Sequence, residues 1–185
     1  MEITDKKIAI ENAVLVVIDI QGNLAHVMTD KSLLFENVKK LIKGMHIFEI
    51  PIVVTEQIPE KLGSTIPEIA GLLIGSEKIS KACFSCCKNP IFVNKLNALK
   101  RRQVLLAGIE AHICVYQSAI DLMQAGYEVH CVVDVVSSRT PQNRDIGIQK
   151  MRAGSAALTS TETVLFELLQ TAEDERFKEI FKIVT

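Results

Sequence analysis

Three side chains stand where apolar runs give out, and their types could support nucleophilic chemistry. Cys114 lies just beyond Gly108-Ile109-Glu110-Ala111-His112-Ile113, where a strand pattern gives way to a helical one. Backbone N–H groups at a helix start carry about half a positive charge, which favours a thiolate and could hold an oxyanion. The same place suits a small apolar residue packing helix on sheet, so position alone leaves both roles open. Asp19 ends the apolar run Ala13–Ile18. A carboxylate there is partly withdrawn from water and needs a partner, a shifted pKa, or a turn or cap role. Lys81, in Ile79-Ser80-Lys81-Ala82-Cys83-Phe84-Ser85, falls at the end of a short strand pattern. Its ammonium could pair with Asp19 or steady a thiolate; the alternative is a solvated surface lysine. Beside it Cys83, Cys86 and Cys87 invite a redox or zinc reading, but no second ligand pair accompanies them, and structural or incidental thiols remain the alternative.

The elements that must position these groups follow from apolar periodicity. Ala13–Ile18, Ile52–Thr55, Val104–Ala107 and Glu128–Val136 are short, β-branched and nearly continuous, as buried parallel strands are. Between them, Leu33, Leu34, Val38, Leu41, Ile42 and Met45 make one stripe on a helix that stops near Pro51. Further helical patterns end at Lys100, cover Val115–Gln124 with Gly126 as a left-handed cap, follow Pro141, and close the chain over roughly Asp174–Phe181. Thr159-Ser160-Thr161-Glu162 has the spacing of a capping box ahead of Val164, Leu165, Leu168 and Leu169. This alternation predicts a three-layer α/β/α fold with a parallel sheet. In such a sheet the crevice lies at the carboxyl ends of the strands, which singles out Asp19, Glu56, Gly108–Cys114 and Asp134. The stretch from Glu56 to Glu77, about twenty residues and so longer than ordinary connections, is a candidate lid or subunit contact with a short helix at Ile66–Leu73.

Four phrases now carry a resemblance. Val17-Ile18-Asp19-Ile20-Gln21, Lys81-Ala82-Cys83-Phe84-Ser85, Gly108-Ile109-Glu110-Ala111-His112-Ile113-Cys114-Val115 and Asp121-x-x-x-x-Gly126-Tyr127-Glu128-Val129 occur in order, and over roughly Ala13–Leu169 the chain resembles the isochorismatase-like, or cysteine hydrolase, superfamily. The resemblance implies one hydrolase domain over residues 1–185, a Rossmann-like six-stranded sheet of order 3-2-1-4-5-6, and a catalytic triad of Asp19, Lys81 and Cys114. In that order the first and fourth strands adjoin at the switch point, bringing Asp19 and Cys114 to one crevice. Lys81 would start two strands away, roughly 10 Å at the usual spacing, a gap for its long side chain or an inward loop to close. The superfamily further implies a cis peptide between Ile109 and Glu110 and an oxyanion hole from the Glu110 and Cys114 amides; Gln21 and Phe84 are read as substrate-binding, Phe84 because it stands beside Lys81, with core packing its alternative. In the chemistry this suggests, Asp19 takes the thiol proton, the sulfur attacks an amide or related carbonyl, and water hydrolyses the thioester.

Departures narrow the reading. Nicotinamidases of the superfamily hold a metal with an aspartate and histidines after the second strand; here that loop reads Thr55-Glu56-Gln57-Ile58-Pro59, with no histidine between His46 and His112. No metal and no cofactor are therefore expected, and the chain resembles the metal-free branch of isochorismatase domain-containing proteins. Isochorismate is disfavoured as substrate, because cleaving its vinyl ether does not require the cysteine. His112 stands two residues before Cys114, on a different helix face, which disfavours a papain-like pair. Neither G-x-G-x-x-G, a P-loop nor G-x-S-x-G can be written, which removes nucleotide-binding and serine-hydrolase signatures.

Composition excludes other classes. Hydrophobic residues make 48% and charged residues 23%, as in a folded chain. With 21 basic and 22 acidic side chains there is no global field to gather nucleic acid or anionic lipid, and Lys100-Arg101-Arg102 reads as a solvated turn. The longest apolar run, Ala13–Ile18, is far short of the roughly 18–20 residues that cross a bilayer. Met1–Lys7 lacks a secretory pattern, and five cysteines fit reduced thiols, so a cytoplasmic protein is expected. The expectation is a cysteine-dependent hydrolase of a small-molecule C–N bond, assembled by resemblance as a homo-oligomer (dimer, tetramer or larger). The rival is a non-catalytic oligomeric binding or scaffold protein on the same fold.

Overall fold

The computed structural model describes residues 7–185, so Met1–Lys6, part of the stretch read above for a secretory pattern, lies outside the described residues. The chain runs through β1 (Ala13–Ile18), α1 (Gly22–His26), α2 (Lys31–Ile47), β2 (Ile52–Gln57), α3 (Pro59–Leu62), α4 (Pro67–Ala70) and β3 (Lys78–Lys81). A 3-10 turn at Cys86–Lys88 leads to α5 (Pro90–Ala98) and β4 (Gln103–Ile109), and a π-helical turn at Ala111–Val115 leads into α6 (Tyr116–Gln124). β5 (Glu128–Ser137), α7 (Pro141–Ala153), β6 (Ala157–Thr159), α8 (Thr161–Leu169) and α9 (Phe177–Val184) follow.

The strands form one parallel sheet in the order β3-β2-β1-β4-β5-β6. Every residue of β1 and β4 is buried, which is why these central strands read as unbroken apolar runs. The pleat divides β1 between two cores. Ala13, Leu15 and Val17 face Val38, Leu41, Ile42 and Met45 of α2 and Val164, Leu165 and Leu168 of α8. Val14, Val16 and Ile18 face Phe92 and Leu96 of α5, Ala119 and Leu122 of α6, and Met151 of α7. Each large side chain withdrawn from water in this way contributes about 1.5–3 kcal/mol, so the sheet is held from both sides.

Several local expectations shift. The capping box moves one residue on: Ser160, not Thr159, accepts from the Thr163 amide, because Thr159 closes β6. The last helix starts at Phe177, since Asp174 is engaged with the Arg176 guanidinium at 2.8 and 2.7 Å ahead of it. Arg101 is not a solvated turn residue; its guanidinium donates to the Ile10 and Ala13 carbonyls and ties down the chain entering β1.

Two candidates for the crevice prove structural. Asp134 sits in β5 where the register with β4 jumps from Leu106↔Cys131 to Gly108↔Val136, and its Oδ1 accepts from the amide and hydroxyl of Thr161 at the start of α8. Glu56 lies inside β2, and its Oε1 accepts from the amide and hydroxyl of Thr65.

Gly147 lets the backbone of α7 lie against the π-helical turn: a Cβ there would meet Ala111 C and O at 2.6 Å and His112 N at 2.7 Å. Backbone cannot yield as a flexible side chain can. Gly147→Ala should therefore lower unfolding free energy by about 1–3 kcal/mol in urea titration. Gly71→Ala, with nothing within 4 Å of its Cβ, should stay within about 0.5 kcal/mol of wild type. Equal stabilities of the two variants would refute the close approach.

Candidate active site

β1 and β4 run side by side with Ile18 opposite Gly108, yet their connections leave in opposite directions, to β2 and to β5. A crevice opens where they part. Asp19 is the first residue past β1; its amide donates to the Thr55 carbonyl at 3.1 Å and its backbone is left-handed, φ 54°, a conformation that aspartate tolerates better than most residues. Gly108 has φ 138°, and a Cβ on it would lie 2.2 Å from the Ile18 oxygen, so only glycine fits where the strands separate. The Ile109–Glu110 peptide is cis. The turn beyond it carries Cys114, a buried residue at 7% exposure.

Lys81 closes the two-strand gap with its side chain. It pairs in register with Gln57 of β2, and its Nζ reaches past that strand to Asp19 Oδ2 at 2.6 Å. The same nitrogen meets Gln57 Oε1 at 2.6 Å and the Cys83 and Phe84 carbonyls at 3.2 and 3.3 Å. Both side chains of the ion pair are almost wholly buried, at 0% and 3% exposure. Burial is the largest influence and works against the ammonium, but the Asp19 charge and hydrogen bond, together with Cys86 and Cys114, hold the Lys81 pKa above its ordinary value. The other carboxylate oxygen accepts from the Thr55 hydroxyl at 2.8 Å. Both oxygens of Asp19 are thus fixed in place.

The sulfur departs from the expectation of a thiolate held by helix-start amides. Burial pushes the Cys114 thiol up to about 12; Lys81 pulls against this, while the charge of Asp19 and the hydrogen bond with it add to the rise. Cys114 is the fourth residue of the π-helical turn and the Asp19 carboxylate is beside it, so the resting group is a thiol. Such a thiol, a fixed carboxylate and a fixed ammonium can pass a proton from sulfur to carboxylate once an electrophile arrives.

The remaining candidates lie around this group in different ways. Glu110 is buried, and its carboxylate accepts from the amide and Nε of Arg139 at 3.1 Å each. Gln21 is fully buried, and its carboxamide is engaged by backbone: Oε1 accepts from the Gln57 amide at 2.6 Å and Nε2 donates to the Gly63 carbonyl at 2.6 Å. Phe84 is 55% exposed, on the loop whose carbonyls face Lys81. His112 bonds to the Ser138 hydroxyl at 3.0 Å through Nδ1. In the cysteine cluster, burial pushes Cys86 up to about 11 and Cys87 up to about 12, and the Cys86 amide donates to Ser118 Oγ at 2.9 Å. Among the described residues no group of three or more His, Cys, Asp or Glu is arranged to hold a metal ion.

The stretch from Glu56 to Glu77 is not a free lid. Gly22 donates to the Ser64 carbonyl and Ile66 to the Ile20 carbonyl, and Gln21 pairs antiparallel with Thr65. These bonds stitch the stretch to the chain that follows Asp19. Sequence reasoning missed Thr55 and Gln57, the two β2 residues touching the ion pair. Their signal was alternation: at positions i and i+2 of a strand end they share one face.

The isochorismatase domain family model matches residues 13–163. Mouse isochorismatase domain-containing protein 2A is 38% identical over 146 residues, 78% of this chain and 69% of that protein. The structure of the MAR1 ribonuclease of Caenorhabditis elegans has a TM-score of 0.90 at 35% identity, covering 97% of this chain and 92% of that one. YcaC of Escherichia coli, described as an octameric hydrolase of unknown specificity, has a TM-score of 0.90 at 20% identity, covering 96% and 90%, a likeness of fold alone. No helix among the described residues is long and apolar enough to cross a membrane.

Two outcomes test this geometry. Lys81→Met strands the buried Asp19 charge and should lower unfolding free energy by about 3–5 kcal/mol at neutral pH, with much of that recovered in the Asp19→Asn, Lys81→Met double variant. For the sulfur, a raised pKa leaves the reactive thiolate scarce below about 12. Alkylation of Cys114 by iodoacetamide, followed by peptide mass, should therefore accelerate about tenfold per pH unit between about pH 8 and about pH 11. A rate already level near pH 7 would contradict the protonated resting state.

Proposed function

The chain belongs to the isochorismatase family, and from that membership we propose that it is a cysteine-dependent hydrolase of a small amide or related C–N bond, acting through a thioester. One observation carries the reading: an almost fully buried Lys81–Asp19 pair stands beside the Cys114 thiol. Burying two charges without a task at hand is a poor route to stability, and pairing them next to a nucleophile supports proton management.

Asp19 takes the proton of the Cys114 thiol as the sulfur attacks the substrate carbonyl. Lys81 steadies the negative charge passing from carboxylate to sulfur. The carbonyl oxygen becomes an oxyanion, received by the Glu110 and Cys114 backbone amides. The intermediate collapses as protonated Asp19 gives its proton to the departing nitrogen, leaving amine and thioester. Water then loses a proton to Asp19, adds to the thioester, and the acid leaves as sulfur regains its proton. Phe84, exposed at the rim, and Gln21, bracing the loop beneath, are read as the substrate side of the site. The five free cysteines support a reducing, cytoplasmic setting. Assembly as a homo-oligomer is part of the reading, in keeping with the octameric YcaC of Escherichia coli that shares the fold.

The test is ammonia release from a panel of amides and carbamoyl compounds by wild type and Cys114→Ala. At least one compound should turn over, and Cys114→Ala should lose about a thousandfold or more in kcat/KM while unfolding as wild type does. Undiminished turnover by Cys114→Ala would reject the covalent route. An RNA oligonucleotide belongs in the panel because of the name of the C. elegans relative. RNA cleavage, with no amide consumed, would replace the reading.

A further inference from the structure

Lys81 is shared between an acid and a neutral amide. Its ammonium touches Asp19 Oδ2 and Gln57 Oε1 at the same distance, 2.6 Å. An ammonium has three N–H bonds, and the Cys83 and Phe84 carbonyls at 3.2 and 3.3 Å take what remains. No donor is left over for a substrate. Whatever Lys81 does for the reaction it does through its charge, and where that charge points depends on its other partners.

Gln57 is held in one orientation. Its Nε2 donates to the Ala82 carbonyl at 2.8 Å, so its oxygen must be the atom that faces Lys81. Its backbone is fixed in turn: the amide donates to Gln21 Oε1 at 2.6 Å, and its carbonyl accepts from Gln21 Nε2 at 3.3 Å. Gln57 pairs with Lys81 across the β2–β3 ladder, on the strand that lies between Lys81 and Asp19. It is itself buried, at 7% exposure. Charge pairing alone would have been better served by a glutamate of nearly the same shape, which would have met the ammonium with a full negative charge. A glutamine anchors the nitrogen and leaves its positive charge undivided.

We propose that Gln57, braced by Gln21, is a positioning residue that holds the Lys81 ammonium against Asp19 while keeping its charge available to the Asp19–Cys114 pair, so that neutrality at position 57 is a functional requirement. The proposal rests on the hydrolase reading above and assigns the two glutamines a task within that site.

The test uses Gln57→Glu and reads the alkylation of Cys114 by iodoacetamide at about pH 9, which needs no substrate. A second carboxylate on Lys81 cancels the field that favours the thiolate. The rate should fall about tenfold, one pKa unit, in addition to whatever stability is lost with the Nε2 bond to the Ala82 carbonyl. Gln57→Met, which removes the anchor without adding charge, should slow the reaction about two- to fivefold, less than Gln57→Glu. It also keeps the proposal open to refutation if Gln57→Glu does not fold. Alkylation of both variants at the wild-type rate would overturn the role of Gln57 and leave the hydrolase reading intact. A fall in stability with no change in rate would reduce Gln57 to a structural brace and equally overturn it. Failure of wild type to react at Cys114, with other thiols reacting instead, would remove both readings together.

Discussion

The structure depends on keeping one ammonium out of water. A lone Lys81 charge at that depth would be driven neutral or would pull its strand apart, since desolvating an ion costs several kcal/mol even after relaxation. Asp19 at 2.6 Å prevents this, with Gln57 and two backbone carbonyls completing the shell. The requirement propagates outward. Asp19 must stand at the end of β1, β2 must present an acceptor at Gln57, and the loop after β3 must turn its Cys83 and Phe84 carbonyls inward. Three neighbouring strands and one loop are thereby fixed relative to one another by a single nitrogen.

The opposite wall is set by close approach, not by charge. Gly108 touches the end of β1, and Gly147 lets α7 lie against the turn that carries Cys114. Ser118, on the first turn of α6, receives the Cys86 amide, while Ser85 donates to Asp121 further along that helix at 2.7 Å. So α6 connects the turn bearing Cys114 to the 3-10 turn bearing Cys86. The sulfur sits between a charged wall on β1–β3 and a tightly packed wall on β4–α6–α7. Its geometry does not depend on a mobile segment, since the stretch from Glu56 to Glu77 is stitched to Ile20–Gly22.

Much of this was legible because burial writes itself into composition. Ala13–Ile18 and Val104–Ala107 are apolar throughout, as strands covered on both faces must be, and the sheet order followed once the four phrases were recognised. β6 left no such mark: it has three residues, none fully buried, too few for a period to register. Glu56 and Asp134 misled for one reason. A carboxylate at a strand end looks the same whether it faces a crevice or accepts from a nearby threonine, and the partners Thr65 and Thr161 lie 9 and 27 residues on. The protonation of Cys114 was beyond reach in kind. The sequence places sulfur near a helix start, but the depth of burial and the neighbouring carboxylate that decide its pKa arise only when separate strands converge.

That protonated resting thiol fits the rest of the site better than a standing thiolate would. A free thiolate beside Asp19 would place two negative charges against one ammonium, and burial would raise the cost of both. With the proton on sulfur, the resting site holds one anion and one cation, closely paired. The charge passes through sulfur to the carbonyl oxygen as the new bond to carbon forms, and at that moment Asp19 turns into the neutral acid that a leaving nitrogen needs. Lys81 loses its anionic partner when Asp19 takes the proton, but Gln57 and the two carbonyls still hold the ammonium in place until the charge returns. A site whose ligands stay still while the proton moves is pre-organised for both directions of the transfer, which a thioester route requires, since the same carboxylate must accept and return a proton twice per turnover.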